Sequence, residues 1–287
     1  NDENAAPSGG FAAVELLVEG NEKQAREFCD VIDSYNQDRK NIDRSVTQEA
    51  HDYVESNLEL KAKKSTVIYN PRWMKGIVGI VASRLIETYY RPTVVLTKSN
   101  GFVTGSARSV PGFDLYQAVE SCSDLLENFG GHMYAAGLTM EEGNVEAVTK
   151  RFNDYVEANI DPSILVPQVD IDSELLFSEI TDDFHRQLNA FQPFGPGNTA
   201  PVFMTSGATN HRGDAKLVGA ECDHLRMDLM QREKPHTSIP AIAFQQPTHY
   251  EWVRAGKPVS VCYQIVENHY RGTVSKQLRV KDLKPER

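Results

Sequence analysis

The sequence predicts an α/β domain preceded by a long amphipathic helix and followed by a small all-β barrel. Three observations carry that prediction. Between residues 12 and 60, Leu17, Phe28, Ile32, Tyr35, Ile42, Val46, Ala50 and Tyr53 recur mostly at three- and four-residue steps among charged residues, the period of one helix face. Between residues 65 and 160, short β-branched runs alternate with helical segments, the pattern of a sheet with helices packed upon it. After Pro201 the helical period disappears and short strand-like runs follow one another.

Gly20 and Asn21 break the first stretch early and leave a helix over residues 22–57, on the order of 50 Å long at about 1.5 Å per residue. A rod of that length usually connects domains. A coiled-coil dimer is the alternative, weakened by Arg39 and the small Ala50 on its seam. Residues 66–69, 93–97 and 103–106 read as strands, and residues 76–89, 115–128 and 145–159 as helices, the first with a glycine-rich first turn. Residues 161–200 hold a short strand, an acidic helix near 182–191 and the turn-rich run FQPFGPGN, which looks like a boundary. Strands are then predicted at 202–206, 215–218, 224–230, 239–244, 259–266 and 277–280. The segments are therefore 1–62, 63–160, 161–200 and 201–287.

At 287 residues with 40% hydrophobic and 24% charged content, the chain is long and apolar enough for two or three packed units, which excludes disordered, collagen-like and low-complexity classes. No apolar run approaches the roughly 18 residues of a membrane span, and the acidic start lacks a signal-peptide pattern, so a soluble cytoplasmic protein without a membrane partner is expected. Cys29, Cys122, Cys222 and Cys262 form no Cys-x-x-Cys pair and read as thiols. The net charge of −10 is uneven: residues 1–60 and 141–200 each carry −9, whereas 61–140 and 201–287 each carry +4. Local positive surface therefore permits nucleic-acid binding by the second and fourth blocks, although solvated faces explain charge alone as well.

Three motifs carry chemistry. In FGGHMYAAGLTM the paired Gly130 and Gly131 let the backbone turn tightly and approach an anion, to which His132 can donate; an ordinary turn is the bland alternative. In TGSARSVPGFDL, Ser106, Arg108 and Ser109 stand at the end of an apolar strand, where a bidentate guanidinium and two hydroxyls suit a phosphodiester or 5′-phosphate; a surface strand end with an exposed arginine is the equal alternative. In NPRWMKGIVGIVASRL, Trp73 can stack a base or pack on the sheet, and Lys75 precedes a helix N-terminus that favours phosphate. In the barrel, Arg212, Lys216, Arg226, Arg271, Lys276 and Arg279 with Tyr263 and Tyr270 suit a single-strand groove, and solvated strand faces explain them nearly as well. Clustered Asp and His ligands for catalytic metals are missing from the pattern.

These motifs in this order, followed by FGPGN and a β-rich tail ending QLRVKDLKP, resemble the RecJ family of single-strand-specific exonucleases over nearly the whole chain. The resemblance implies the end of a DHH phosphoesterase region and a connecting helix (1–62), a DHHA1 domain (63–160), a linker (161–200) and an OB-fold (201–287). It implies a 5′ to 3′ exonuclease of DNA repair and recombination whose Mn or Mg ions sit in a DHH core with no counterpart here. The chain is therefore expected to be inactive alone, to hold no metal and to bind single-stranded DNA, with a single-strand-binding protein and a repair helicase as implied partners. Carried over, Gly130, Gly131 and His132 lie against the strand or scissile phosphate, and Ser106, Arg108 and Ser109 hold phosphate; no catalytic residue is assigned, His132 being a phosphate-positioning candidate. Trp73, Lys75, Lys216, Arg226, Arg271 and Arg279 complete the implied nucleic-acid-binding set. Where the family continues NAAG with Arg-Met, residues 4–10 read NAAPSGG, and residues 231–238 look like an insertion between strands. The alternatives are a DHHA1-bearing phosphodiesterase of short oligonucleotides or cyclic dinucleotides, and a non-catalytic repair scaffold.

Overall fold

A computed structural model describes residues 9–231, 238–270 and 272–286. Most of the divergent N-terminal segment and of the supposed insertion lie outside the described residues. The chain forms two compact units, the first ending at Pro167 and the second beginning at Gln168.

The first unit opens with α1 (Gly9–Val18) and α2 (Glu22–Ser56). Helix α2 starts where the sequence predicts because Asn21 is its N-cap, its side-chain oxygen accepting from the amides of Lys23 at 2.9 Å and Gln24 at 3.3 Å. Only its last turns are buried, through Val46, Ala50 and Val54 at four-residue steps. There follow α3 (Leu58–Ala62), β1 (Thr66–Tyr69), α4 (Val78–Tyr89), β2 (Thr93–Ser99), β3 (Phe102–Arg108), α5 (Leu115–Glu120), β4 (Asn128–His132), β5 (Ala135–Met140) and α6 (Val145–Asn159). The buried Arg91 joins α3 to the sheet: Nε donates to Thr66 Oγ1 at 2.8 Å, and Nη1 donates to the carbonyls of Lys61 and Lys63 at the helix C-terminus.

The sheet order is β1-β2-β3-β5-β4, with β1 and β2 parallel and the remaining pairs antiparallel. One face buries Val94, Leu96, Ala107 and Leu138 against Leu115, Val119, Val148 and Phe152 of α5 and α6. The other buries Ile68 and Val95 beneath α2 and α4, a cluster that takes no side chain from β4 or β5. That half of the face is open.

The helix predicted over 115–128 is shorter than expected. It ends at Glu120, a 3₁₀ turn (Ser123–Leu125) follows, and the chain enters β4. Pairing with β5 overrides the helical spacing of Leu125 and Leu126, and two glycines with a weak strand preference conceal β4 in the sequence.

The second unit contains β6 (Ser173–Glu174), α7 (Asp182–Asn189), β7 (Phe203–Asn210), β8 (Lys216–Val218), β9 (His224–Gln231), β10 (Ser238–Ala243), α8 (Tyr250–Arg254), β11 (Val259–Tyr270) and β12 (Thr273–Pro285). Its strand order is β6-β7-β11-β12-β10-β9-β8, and β7 also pairs with β9. That extra pairing closes a ring of five strands, the OB architecture, with α8 between β10 and β11. Strand alternation fills the ring with Phe203, Leu225, Met227, Leu229, Tyr263 and Leu278.

Candidate nucleic-acid interface

Register places the first unit's motifs on one surface. Gly130 of β4 stands opposite Gly137 of β5, which stands opposite Ser106 of β3; in the next row His132, Ala135 and Arg108 are aligned in the same way. Cross-strand partners share a face, so all six residues lie on one face of the sheet, with Gly130, His132, Ala135 and Gly137 on its open half and Ser106 and Arg108 at the border with α4. Two strand spacings, about 10 Å, separate the backbone positions of His132 and Arg108. Ala135 lies between them in that row, and Gly130 and Gly137 extend the floor in the next.

Arg108 Nη1 donates to Ser106 Oγ at 2.7 Å and to the Ala107 carbonyl at 2.9 Å, which orients the guanidinium. On its far side a groove of about 510 Å³ runs along α4, lined by Gly76, Gly79, Ile80, Ser83, Arg84, Glu87 and Arg108. His132 is exposed, and its Nδ1 accepts from the Tyr134 amide at 3.3 Å, which leaves Nε2 as the donor. A hydroxyl, a guanidinium and an imidazole N–H thus border a bare floor, an arrangement that suits phosphate oxygens.

Several predicted residues hold other places. Gly130 and Gly131 lie within β4, and the turn falls at Met133 and Tyr134, so the glycines do not make the tight turn expected of them. Gly131 has a φ of +155°, and a Cβ there would stand 2.2 Å from the Ala135 carbonyl oxygen, whereas a Cβ on Gly130 would meet nothing within 4 Å. Ser109 Oγ donates to the carbonyls of Val110 at 3.2 Å and Phe113 at 2.9 Å and so locks the loop after β3. Trp73 is 7% exposed, with Nε1 donating to Glu49 at 3.0 Å; its ring is core and presents no face to a base. Lys75 is exposed just ahead of α4.

In the second unit, Lys216 faces Arg226, Arg226 faces Ile242, and Ile242 faces Arg279, a row running across β8, β9, β10 and β12. The three cations project outward. Lysine opposite arginine is a repulsive cross-strand pair, which an anion would relieve. Arg279 stands 5.6 Å from the ring centroid of Phe244, which is 46% exposed and has His224 edge-on at 5.0 Å. The His224 Nδ1 accepts from the Gln245 amide at 3.2 Å. Burial, and then the charge of Arg279, hold Lys281 below the ordinary lysine range. Phe244 is an exposed ring beside Arg279 that the sequence reading did not single out; its only signal was an apolar residue at the end of a strand. Tyr263 is buried, its hydroxyl 2.7 Å from Thr205 Oγ1, and Lys276 is paired with Asp182 at 2.7 Å. Tyr270 is exposed near the end of β11. Arg271 lies outside the described residues.

Among the described residues, no group of three or more His, Cys, Asp or Glu side chains could hold a metal ion, so the divalent cation implied by the resemblance does not fit here. No described helix is long and apolar enough to cross a membrane.

The two folds define the class: a DHHA1-type α/β domain followed in the chain by an OB barrel. The family model described as the DHHA1 domain matches residues 62–158, and that described as the RecJ OB domain matches residues 171–282. The chain is 29% identical over 272 residues to the single-stranded-DNA-specific exonuclease RecJ of Bacillus subtilis, covering 94% of this chain and 34% of that protein. It is 30% identical over 283 residues to the Escherichia coli exonuclease of the same name, covering 95% and 47%. The crystal structure of RecJ in complex with Mn2+ from Thermus thermophilus superposes with a TM-score of 0.74 at 26% identity, covering 96% of this chain and 39% of that one. The chain belongs to the RecJ family. It spans between a third and a half of the length of these relatives.

Proposed function

We propose that this chain is the nucleic-acid-binding C-terminal region of a RecJ-like 5′ to 3′ single-stranded-DNA exonuclease acting in repair and recombination. The observation that carries the reading is the open half-sheet, where Ser106, Arg108 and His132 border a floor formed by Gly130, Gly137 and Ala135. A bare floor admits a sugar-phosphate backbone at close range, and the bordering donors orient its phosphates. On this reading Arg108 and His132 position phosphate, while the barrel grips the strand through Lys216, Arg226 and Arg279, with Phe244 stacking a base.

Metal-dependent hydrolysis belongs to the DHH domain of the whole enzyme, so these residues alone bind DNA without cleaving it. The metal, a single-strand-binding protein and a repair helicase belong to the same reading of the whole enzyme. The cationic row on the barrel favours DNA over the scaffold alternative, which needs an apolar barrel surface.

The test is fluorescence anisotropy of a labelled single-stranded oligonucleotide at two salt concentrations, with Arg108→Ala and His132→Ala beside the unaltered chain. Binding should weaken as salt rises, and Arg108→Ala should weaken it about tenfold or more, as loss of a charge-assisted contact implies. Salt-independent binding, a preference for duplex, or indifference to both substitutions would contradict the proposal.

A further inference from the structure

We propose that Gly79 is a positioning residue for Arg108, and that its missing side chain is what keeps the guanidinium aimed at phosphate. This rests on the reading of the half-sheet as a DNA surface. Gly79 lies in the first turn of α4, where nothing in the backbone asks for glycine: its φ is not positive, and an alanine would favour the helix. The surroundings supply the reason. A Cβ at this position would stand 3.2 Å from Arg108 Nη2, 3.2 Å from Ser106 Oγ and 3.6 Å from Ser106 Cβ. Each of the first two contacts is a few tenths of an ångström too close. Both atoms are at the ends of side chains that can move, so the fold absorbs a methyl group at residue 79 by displacing them. The guanidinium then loses its place, because the same Ser106 Oγ anchors Arg108 Nη1 at 2.7 Å.

The groove on α4 supports this direction. Gly79 lines it together with Arg108, Ser83 and Arg84, so the bare turn joins the open sheet to a second polar surface along the helix. Arg84 is held there by Glu87 at 3.4 Å and Asp43 at 4.0 Å, which leaves Arg108 as the cation whose orientation depends on residue 79.

Gly79→Ala is therefore expected to move stability and binding in opposite directions. The melting temperature should stay equal or rise, while affinity for a fluorescein-labelled 20-nucleotide oligothymidylate falls roughly three- to tenfold. The logarithmic salt slope should shrink as it does in Arg108→Ala, by about 0.7 for one lost phosphate on a single strand. The double variant Gly79→Ala/Arg108→Ala should bind no more weakly than Arg108→Ala alone, because both changes remove one contact. Additive losses would show that residue 79 acts by another route and overturn the proposal, as would full affinity in Gly79→Ala. The Arg108 Nε–Hε resonance, assigned from its disappearance in Arg108→Ala, decides the positioning role without DNA: it should shift in Gly79→Ala, and an unmoved resonance overturns the inference. If Arg108→Ala leaves binding intact, the DNA reading of the half-sheet fails, and the resonance still reports on Gly79.

Discussion

Gly130→Ala and Gly131→Ala, adjacent changes of one methyl group, should have very different consequences. At residue 131 the new Cβ would lie 2.2 Å from the Ala135 carbonyl oxygen and 2.6 Å from Ala136 Cα, both backbone atoms of the partner strand. A carbon and an oxygen in van der Waals contact need more than 3 Å, so β4 has to move by about 1 Å, enough to spoil its ladder with β5. The φ of +155° adds strain for any other residue. Backbone strain of about 1–3 kcal/mol and overpacking of about 1–3 kcal/mol give a cost of about 2–6 kcal/mol. Detachment of the edge strand caps that figure, since β4 pairs on one side only. Gly130→Ala meets nothing within 4 Å and should stay within about 0.5 kcal/mol of the unaltered chain. Thermal unfolding followed by near-UV circular dichroism, with hydrogen exchange at the β4 and β5 amides, measures both. At about 2–4 °C per kcal/mol for a unit of this size, Gly131→Ala should lower the melting temperature by at least about 4 °C, or release β4 locally with fast exchange. Unchanged melting and protection in Gly131→Ala would refute the steric reasoning.

Three further outcomes follow from the same geometry. Phe244→Ala should cost about 1–3 kcal/mol of single-strand affinity while Phe244→Trp retains it, as read by anisotropy with oligonucleotides of increasing length; equal affinities would remove the ring from the DNA path. Trp73→Ala should lower stability by about 3–5 kcal/mol in denaturant titration and leave the salt dependence of DNA binding unaltered, because the ring is core; the reverse result would make it a stacking residue. Asp228 is held above the ordinary aspartate range by burial and then by Asp214. A raised carboxyl pKa stabilises the fold fully below the ordinary value near 3.9, and that contribution is lost as pH rises through the folded value. Asp228→Asn should therefore raise the denaturation midpoint of the barrel at pH 7 relative to the unaltered chain and flatten its slope between pH 4 and 7; an identical pH profile would count against the carboxyl pair.

Local patterns in the sequence were sufficient for the elements that local physics forms. Asn21 caps α2 where predicted, α6 spans Val145–Asn159 as its apolar spacing requires, and the alternation after Pro201 marks the barrel strands. The ordered motifs also pointed to the RecJ family, which the domain matches support. Long-range pairing decided the rest. Strand β4 exists because β5 pairs with it, although its own residues favour no strand. Which motif residues share a face depends on register, and register brings Ser106 and Arg108 to the same surface as Gly130 and His132 across two other pairings. Burial then separated similar candidates: Trp73 and Tyr263 went into cores, while Phe244, an apolar residue in no motif, remained exposed beside Arg279. A sequence specifies turns, caps and periods through neighbours a few residues apart; the site depends on residues that only the folded sheet makes neighbours.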